Sequence, residues 1–273
     1  MIIAGSDSGG GAGIQADIKT VTALGGYAAT AITALTIQNT LGVSGVVATS
    51  NTAVRAQMEA VLKDIGADAL KTGMLGDKAL VEMLAQAFAD LAPNIPRVAD
   101  PVMVATSGDV LLPREAVDAV RKLMVPGAAV VTPNAPEAEV LTGKAVETVD
   151  GQRRAAERLL EMGAEAALVK GAHVPGDVIV DVLATQQGEH FFEGPRIETK
   201  ATHGTGCTLA SGIAAGLARG LVLKDAVALS RAYLVEAIRR APGVGGGNGP
   251  VDHGWPARDP EAFASMFAKW KPA

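Results

Sequence analysis

The chain has 273 residues, 48% of them apolar and 3% aromatic, with a formal net charge of −5. That supports one large α/β unit with a core of Ala, Val, Leu and Ile, and the acidic balance argues against a nucleic-acid or anionic-membrane surface. The lone cysteine excludes an internal disulfide, no apolar run is long enough to span a bilayer, and the start has no basic n-region, so the expectation is one cytoplasmic domain over residues 1–273.

Ile2–Ala4 reads as the end of a first strand, followed by the loop Gly5-Ser6-Asp7-Ser8-Gly9-Gly10-Gly11-Ala12-Gly13. Ile14, Ile18 and Val21 then recur at helical spacing through Ile14–Leu24, and Gly25-Gly26 ends that helix. Tyr27–Ile37 and Val43–Ala48 read as strands. Ser50 or Asn51 is placed to cap a helix over Thr52–Ile65, whose Val54, Met58, Val61, Leu62 and Ile65 form an apolar stripe. A regular alternation follows: strand Ala69–Lys71, helix Lys78–Leu91, strand Val98–Val102, helix Arg114–Met124 opened by Pro113, strand Ala128–Val131 and helix Ala135–Leu141. Helix Gly151–Met162 and strand Ala166–Val169 continue it, and Val178–Leu183 with His190–Phe192 read as an antiparallel pair about Gln187-Gly188. Leu209, Ile213 and Leu217 then mark a buried helix, with small residues between them that permit close packing. A helix over Ala226–Arg239, the glycine-rich stretch Gly243–Gly249, read as a loop over the site, and a helix near Pro260–Lys269 complete the chain.

This alternation predicts an α/β three-layer sandwich, a mostly parallel central sheet with helices on both faces. In such sheets ligands bind beyond the carboxyl ends of the strands. The polar and glycine punctuation falls there: Gly5–Gly13, Gln38-Asn39, Thr72-Gly73, Asp100, Asn134, Lys170-Gly171 and Gly204–Cys207.

Gly204, Thr205 and Gly206 read as a loop feeding a helix N-terminus, whose free N–H groups and dipole favour an anion. Cys207, in the first turn, would have its thiolate stabilised by the same field. The alternative is a glycine-rich helix start with a buried cysteine. Gly11-Ala12-Gly13-Ile14-Gln15-Ala16 fits the dinucleotide fingerprint, but it lies too far from its strand, and the next strand ends without an acid for a ribose. No P-loop is present. No Asn or Asp is recognisably placed to orient His203, which disfavours a thiol hydrolase. Asn134 and Glu137, three apart, suit either a capping box or an amide and a carboxylate beside a hydrated Mg²⁺. Lys170 ends an apolar strand, where a ligand phosphate or a structural ion pair would hold it.

Together these pieces resemble the ribokinase-like superfamily and, within it, the hydroxymethylpyrimidine/phosphomethylpyrimidine kinases of thiamine synthesis. The resemblance rests on AGSDSGGGAGIQADIKT at 4–20, TALTIQNT at 33–40, KTGMLGD at 71–77, DPVMVATSGD at 100–109, TPNAPEAEVLTG at 132–143, VKGAH at 169–173 and HGTGCTLASGIAAGLARG at 203–220. It implies that Gln38 pairs with an aminopyrimidine edge, with Ala12, Asp17, Met74 and Val102 around that ring. It implies that Asn134 and Glu137 belong to the Mg-ATP side, holding Mg²⁺ through water, and that Lys170 approaches the ATP phosphates. Gly204, Thr205 and Gly206 would form the anion hole, and Cys207 would take the place of the catalytic base. The implied activity is ATP-dependent phosphorylation of 4-amino-5-hydroxymethyl-2-methylpyrimidine and then of its monophosphate, by a homodimer. The alternatives are a pyridoxine or pyridoxal kinase and a non-catalytic pyrimidine-binding protein.

Overall fold

The computed structural model describes residues 1–105, 108–109 and 111–270; Thr106 and Ser107 of the 100–109 motif lie outside the described residues. The strands are β1 (Ile2–Asp7), β2 (Thr30–Asn39), β3 (Gly42–Ala48), β4 (Leu70–Thr72), β5 (Arg97–Ala99), β6 (Val130–Val131), β7 (Ala166–Val169), β8 (Val178–Thr185) and β9 (Gly188–Pro195). Among the described residues they form one sheet in the order β3-β2-β1-β4-β5-β6-β7-β8-β9. Pairing is parallel from β2 through β7, and antiparallel for β2–β3, β7–β8 and β8–β9. The order reverses at β1, the point where open α/β sheets leave a crevice for ligands.

The period-2 alternation of each strand divides the core into two layers. Ile3, Leu70, Ala99, Val131 and Ala167 face one side, where they meet α2 (Asn51–Asp64), α3 (Lys78–Leu91), α4 (Arg114–Ala119), α5 (Ala135–Thr142) and α6 (Val149–Glu161). Ala69, Val98, Val130, Ala166 and Leu168 face the other. There they meet α7 (Thr205–Ala218), α8 (Leu223–Arg239) and the C-terminal α9 (Trp255–Arg258) and α10 (Pro260–Phe267). On that same side α1 (Gly13–Ala23) packs Ile14 on Ile2 and Ala4. Small residues bring α7 and α8 close: a Cβ on Gly216 would lie 2.7 Å from Ala226 Cβ. The three-layer expectation therefore holds.

Some boundaries differ from the sequence reading, for local reasons. β1 runs on to Asp7, because Ser6 and Asp7 pair with Leu35 and Thr36. β5 stops at Ala99 rather than Val102, just ahead of Pro101, which has no N–H for a ladder. The expected helix Arg114–Met124 is α-helical only to Ala119 and closes in a π turn over Val120–Met124. There Arg97 donates to the Met124 and Pro126 carbonyls. Gly204 is the N-cap of α7, so Thr205 and Gly206 already belong to its first turn rather than to a loop. α9 has no counterpart in the sequence reading.

His253, 5% exposed, ties α7 to the segment that follows α8. Thr208 gives its single hydroxyl proton to the Gly204 carbonyl (2.8 Å), so the His253 Nε2 beside it (2.9 Å) must be the donor. Burial, helped by Lys19, pushes this imidazole from 6.5 down to about 4. The unfolded chain then binds a proton that the native state lacks, so stability falls as pH drops through that window, by on the order of 3 kcal/mol in all. In His253→Gln, which keeps a donor, the fall in melting temperature between about pH 7.5 and about pH 5 should shrink. An unchanged pH dependence would contradict the assignment.

Candidate active site

A cleft of about 1280 Å³ opens at the carboxyl ends of the parallel strands. Ala12, Gln38, Met74, Val102, Asn134, Glu137, Lys170 and the run Gly204–Cys207 all line it. Asp17 does not. It is fully buried behind the wall, bonded through both oxygens to Lys71 Nζ at 2.9 Å, and it accepts from Ser211 Oγ at 2.7 Å. Its expected place around the ring is corrected: it braces α1 against β4 and α7.

Gln38 stands at the end of β2. Ser8 holds its backbone, donating through Oγ to its carbonyl (2.8 Å) and accepting from its N–H (2.9 Å). Thr36 Oγ1 lies 3.0 Å from the Ser6 carbonyl oxygen and 3.1 Å from Gln38 Oε1, which steadies the planar amide at the cleft wall.

Asp7, at the end of β1, gathers the first glycine loop. Its carboxylate accepts from the N–H groups of Gly9, Gly11 and Ala12, and Oδ2 meets His203 Nε2 at 2.8 Å. Burial raises its pKa, but the His203 contact and the Ala12 and Gly9 N–H groups outweigh burial and hold it below the usual carboxylate range. Asp7 is therefore the acid that orients His203, a partner the sequence reading missed. The two are 196 positions apart. The available signal was local: an Asp followed by glycines two and four residues on is a loop-gathering carboxylate.

Gly204, at φ +80°, turns the chain into α7, and a Cβ there would overlap the Gly11 carbonyl oxygen. The first turn of α7 thus lines the cleft beside the first loop. The sequence expectation of a stabilised Cys207 thiolate is reversed. Cys207 is only half-buried by area, yet desolvation still pushes its thiol up to about 11, with Lys71 opposing and Asp17 and Asp100 reinforcing. Lys71 and the Gly13 N–H, which favour the thiolate, do not overcome that loss of water.

Lys170, 13% exposed at its side chain, lies 3.3 Å from Asp100 Oδ1 and 3.9 Å from Glu137 Oε2. Burial lowers its pKa, but the Asp100 and Glu137 charges more than offset this and keep it cationic. Asp100, also held by Thr132 Oγ1 at 3.3 Å, is a second site residue that the sequence reading marked only as punctuation. Asn134 and Glu137 do form the capping box: Glu137 Oε2 accepts from Asn134 N–H and Asn134 Oδ1 from Glu137 N–H, both at 2.8 Å. Burial pushes the Glu137 carboxyl well up, against Lys170. The cap and the cleft wall are the same residues.

A crossover sheet of this order, with a helix N-terminus and a cationic lysine at one cleft, is the architecture of the ribokinase-like small-molecule kinases. The sequence model described as phosphomethylpyrimidine kinase matches residues 7–252. The hydroxymethylpyrimidine/phosphomethylpyrimidine kinase of Streptomyces coelicolor is 48% identical over 255 residues, covering 93% of this chain and 94% of that protein. The phosphomethylpyrimidine kinase of Clostridium difficile superposes with a TM-score of 0.78 at 40% identity, over 87% of this chain and 97% of that one. The pyridoxal kinase of Bacillus subtilis, solved with ADP, gives 0.86 at 34% identity over 92% and 96%. The chain belongs to the phosphomethylpyrimidine kinase family.

Proposed function

We propose that the protein transfers the γ-phosphoryl group of ATP to 4-amino-5-hydroxymethyl-2-methylpyrimidine, and then to the monophosphate so formed, in thiamine biosynthesis. One observation carries this reading: a planar carboxamide, an α-helix N-terminus with a thiol in its first turn, and a lysine between two carboxylates line a single cleft. Gln38 offers a donor and an acceptor in one plane, the complement of a ring nitrogen beside an exocyclic amine. Gly204–Gly206 present N–H groups to the charge that develops on the transferred phosphoryl, and Lys170 neutralises the donor phosphates. Asp100, Asn134 and Glu137 are hard oxygen donors suited to a hydrated Mg²⁺, which would offset charge on the ATP phosphates when bound. Cys207 takes the proton of the hydroxymethyl group. Homodimer formation is part of the proposal, and sedimentation velocity tests it.

The solved pyridoxal kinase relatives make a pyridine alcohol the second reading. Gln38 favours the aminopyrimidine, because a ring without an exocyclic amine leaves one of its polar groups unpaired. An assay of ADP release with each ring substrate decides between them, and release with neither would leave a binding protein.

Removing the Gln38 amide should cost roughly 1–3 kcal/mol of ring binding. Gln38→Leu is therefore expected to raise the pyrimidine KM by about ten- to a hundredfold while the ATP KM barely moves. Equal losses for both substrates would contradict its placement.

A further inference from the structure

The run Gly243–Gly249 has no role in the reaction as described and does not line the cleft, yet it is hydrogen-bonded both to the turn beyond Gln38 and to His203 beside the start of α7. Its middle lies on Thr40-Leu41, the turn that joins β2 to β3 directly after Asn39, two residues beyond Gln38. The Asn248 N–H donates to the Thr40 carbonyl at 2.9 Å, and the Gly247 N–H lies 3.4 Å from Thr40 Oγ1. At Gly245 and Gly247 the fit leaves no room for a side chain. A Cβ on Gly247 would overlap the Thr40 carbonyl oxygen, and one on Gly245, at φ +85°, would overlap the Thr40 side chain.

The far end is tied to the anion-binding loop. Gly249 O accepts from the His203 N–H at 3.1 Å, directly before Gly204, and the Gly249 N–H donates to Lys200 O at 2.9 Å. Pro250 pairs with His203 and packs close to Gly11, where a Cβ would lie 2.9 Å from Pro250 Cβ. One short span of backbone thus joins the turn beyond Gln38 to the loop that opens α7. Gln38 itself is gripped by Ser8 from the opposite side.

We infer that residues 245–248 are a backbone clamp, a positioning element that sets where the Gln38 amide stands relative to the Gly204–Gly206 loop. The inference rests on the reading that Gln38 pairs with the ring. The acceptor hydroxymethyl must reach the transferred phosphoryl while the ring edge meets Gln38, so the distance between the two loops is itself a binding determinant. A misplacement near 1 Å can cost on the order of a hundredfold in rate. Glycines are what allow the backbone to lie directly on Thr40.

The test is a double-mutant cycle on both substrates, with Gly247→Ala, Gln38→Leu and the pair. Gly247→Ala is expected to raise the pyrimidine KM by about tenfold, to leave the ATP KM within about twofold, and to add nothing further when Gln38 is already Leu. If Gly247→Ala does not fold, Thr40→Ala replaces it, since it removes the side chain on which Gly245 rests. A pyrimidine KM unmoved by the loop variant, an equal rise for ATP, or additive effects overturn the clamp while leaving the Gln38 reading intact. A Gln38→Leu enzyme with normal pyrimidine KM overturns that reading, and the clamp with it.

Discussion

Cys207→Ala is expected to slow phosphorylation of the alcohol by ~10²–10⁴-fold, the usual worth of a general base, and to affect phosphorylation of the monophosphate far less. The difference follows from the acceptors. The hydroxymethyl oxygen must lose a proton as it attacks, whereas the monophosphate, with a second pKa of about 6, is already ionised near neutral pH. The Cys207 thiol is pushed by burial to about 11, so it is neutral in the resting site and presents no charge to an incoming phosphate. As the proposed base it would act only through its minor thiolate form, which grows about tenfold per pH unit below that value. The alcohol step should therefore rise with pH from about 6 to about 9, and Cys207→Ala should lose that slope. Cys207→Asp should retain some alcohol kinase activity and lose most of the second step, because a carboxylate repels a phosphate acceptor. Both half-reactions measured in both variants decide it. Equal losses in Cys207→Ala would leave the cysteine as a packing residue of α7.

The architecture was legible because strand and helix periods are local properties. Ala166–Val169 appears where the apolar run placed it, and the hairpin about Gln187-Gly188 forms as expected. The cleft was legible for the same reason, since glycine and polar punctuation at strand ends needs no tertiary knowledge. What the sequence hid is pairing across distance. Asp17 lies one position before Ile18 on a helix that buries one face, and nothing local says whether such an acid meets a ligand or another side chain. Its partners are 54 and 194 residues away. Lys71, the more revealing of the three, is a charged residue in a strand whose whole length is buried, and it needed an internal partner. The thiol of Cys207 failed for a different reason: a helix N-terminus can be read from glycine spacing, whereas desolvation is set by everything packed around the site.

Lys170→Gln is expected to reduce kcat/KM for ATP by ~10²–10³-fold and to leave pyrimidine binding nearly intact, in keeping with the loss of one preorganised donor to a transferring group. The geometry sharpens the reason. The ammonium lies between Asp100 and Glu137, 3.3 and 3.9 Å away, and a Cβ on Gly206 would sit 3.4 Å from it. Lys170 therefore offsets two carboxylates at the place where the first turn of α7 begins. Without it, the phosphates of ATP would meet acidic groups with no fixed cation between. Stability should change less than activity, because burial already biases Glu137 toward its neutral form and that carboxyl can take up a proton when the lysine is gone. The competing account makes Lys170 only the counterion of a buried acid pair, whose removal leaves an uncompensated charge and costs several kcal/mol. The two accounts predict different results. A large ATP defect with a melting temperature close to wild type supports the phosphate role. Activity lost for both substrates in step with a fall in melting temperature overturns it.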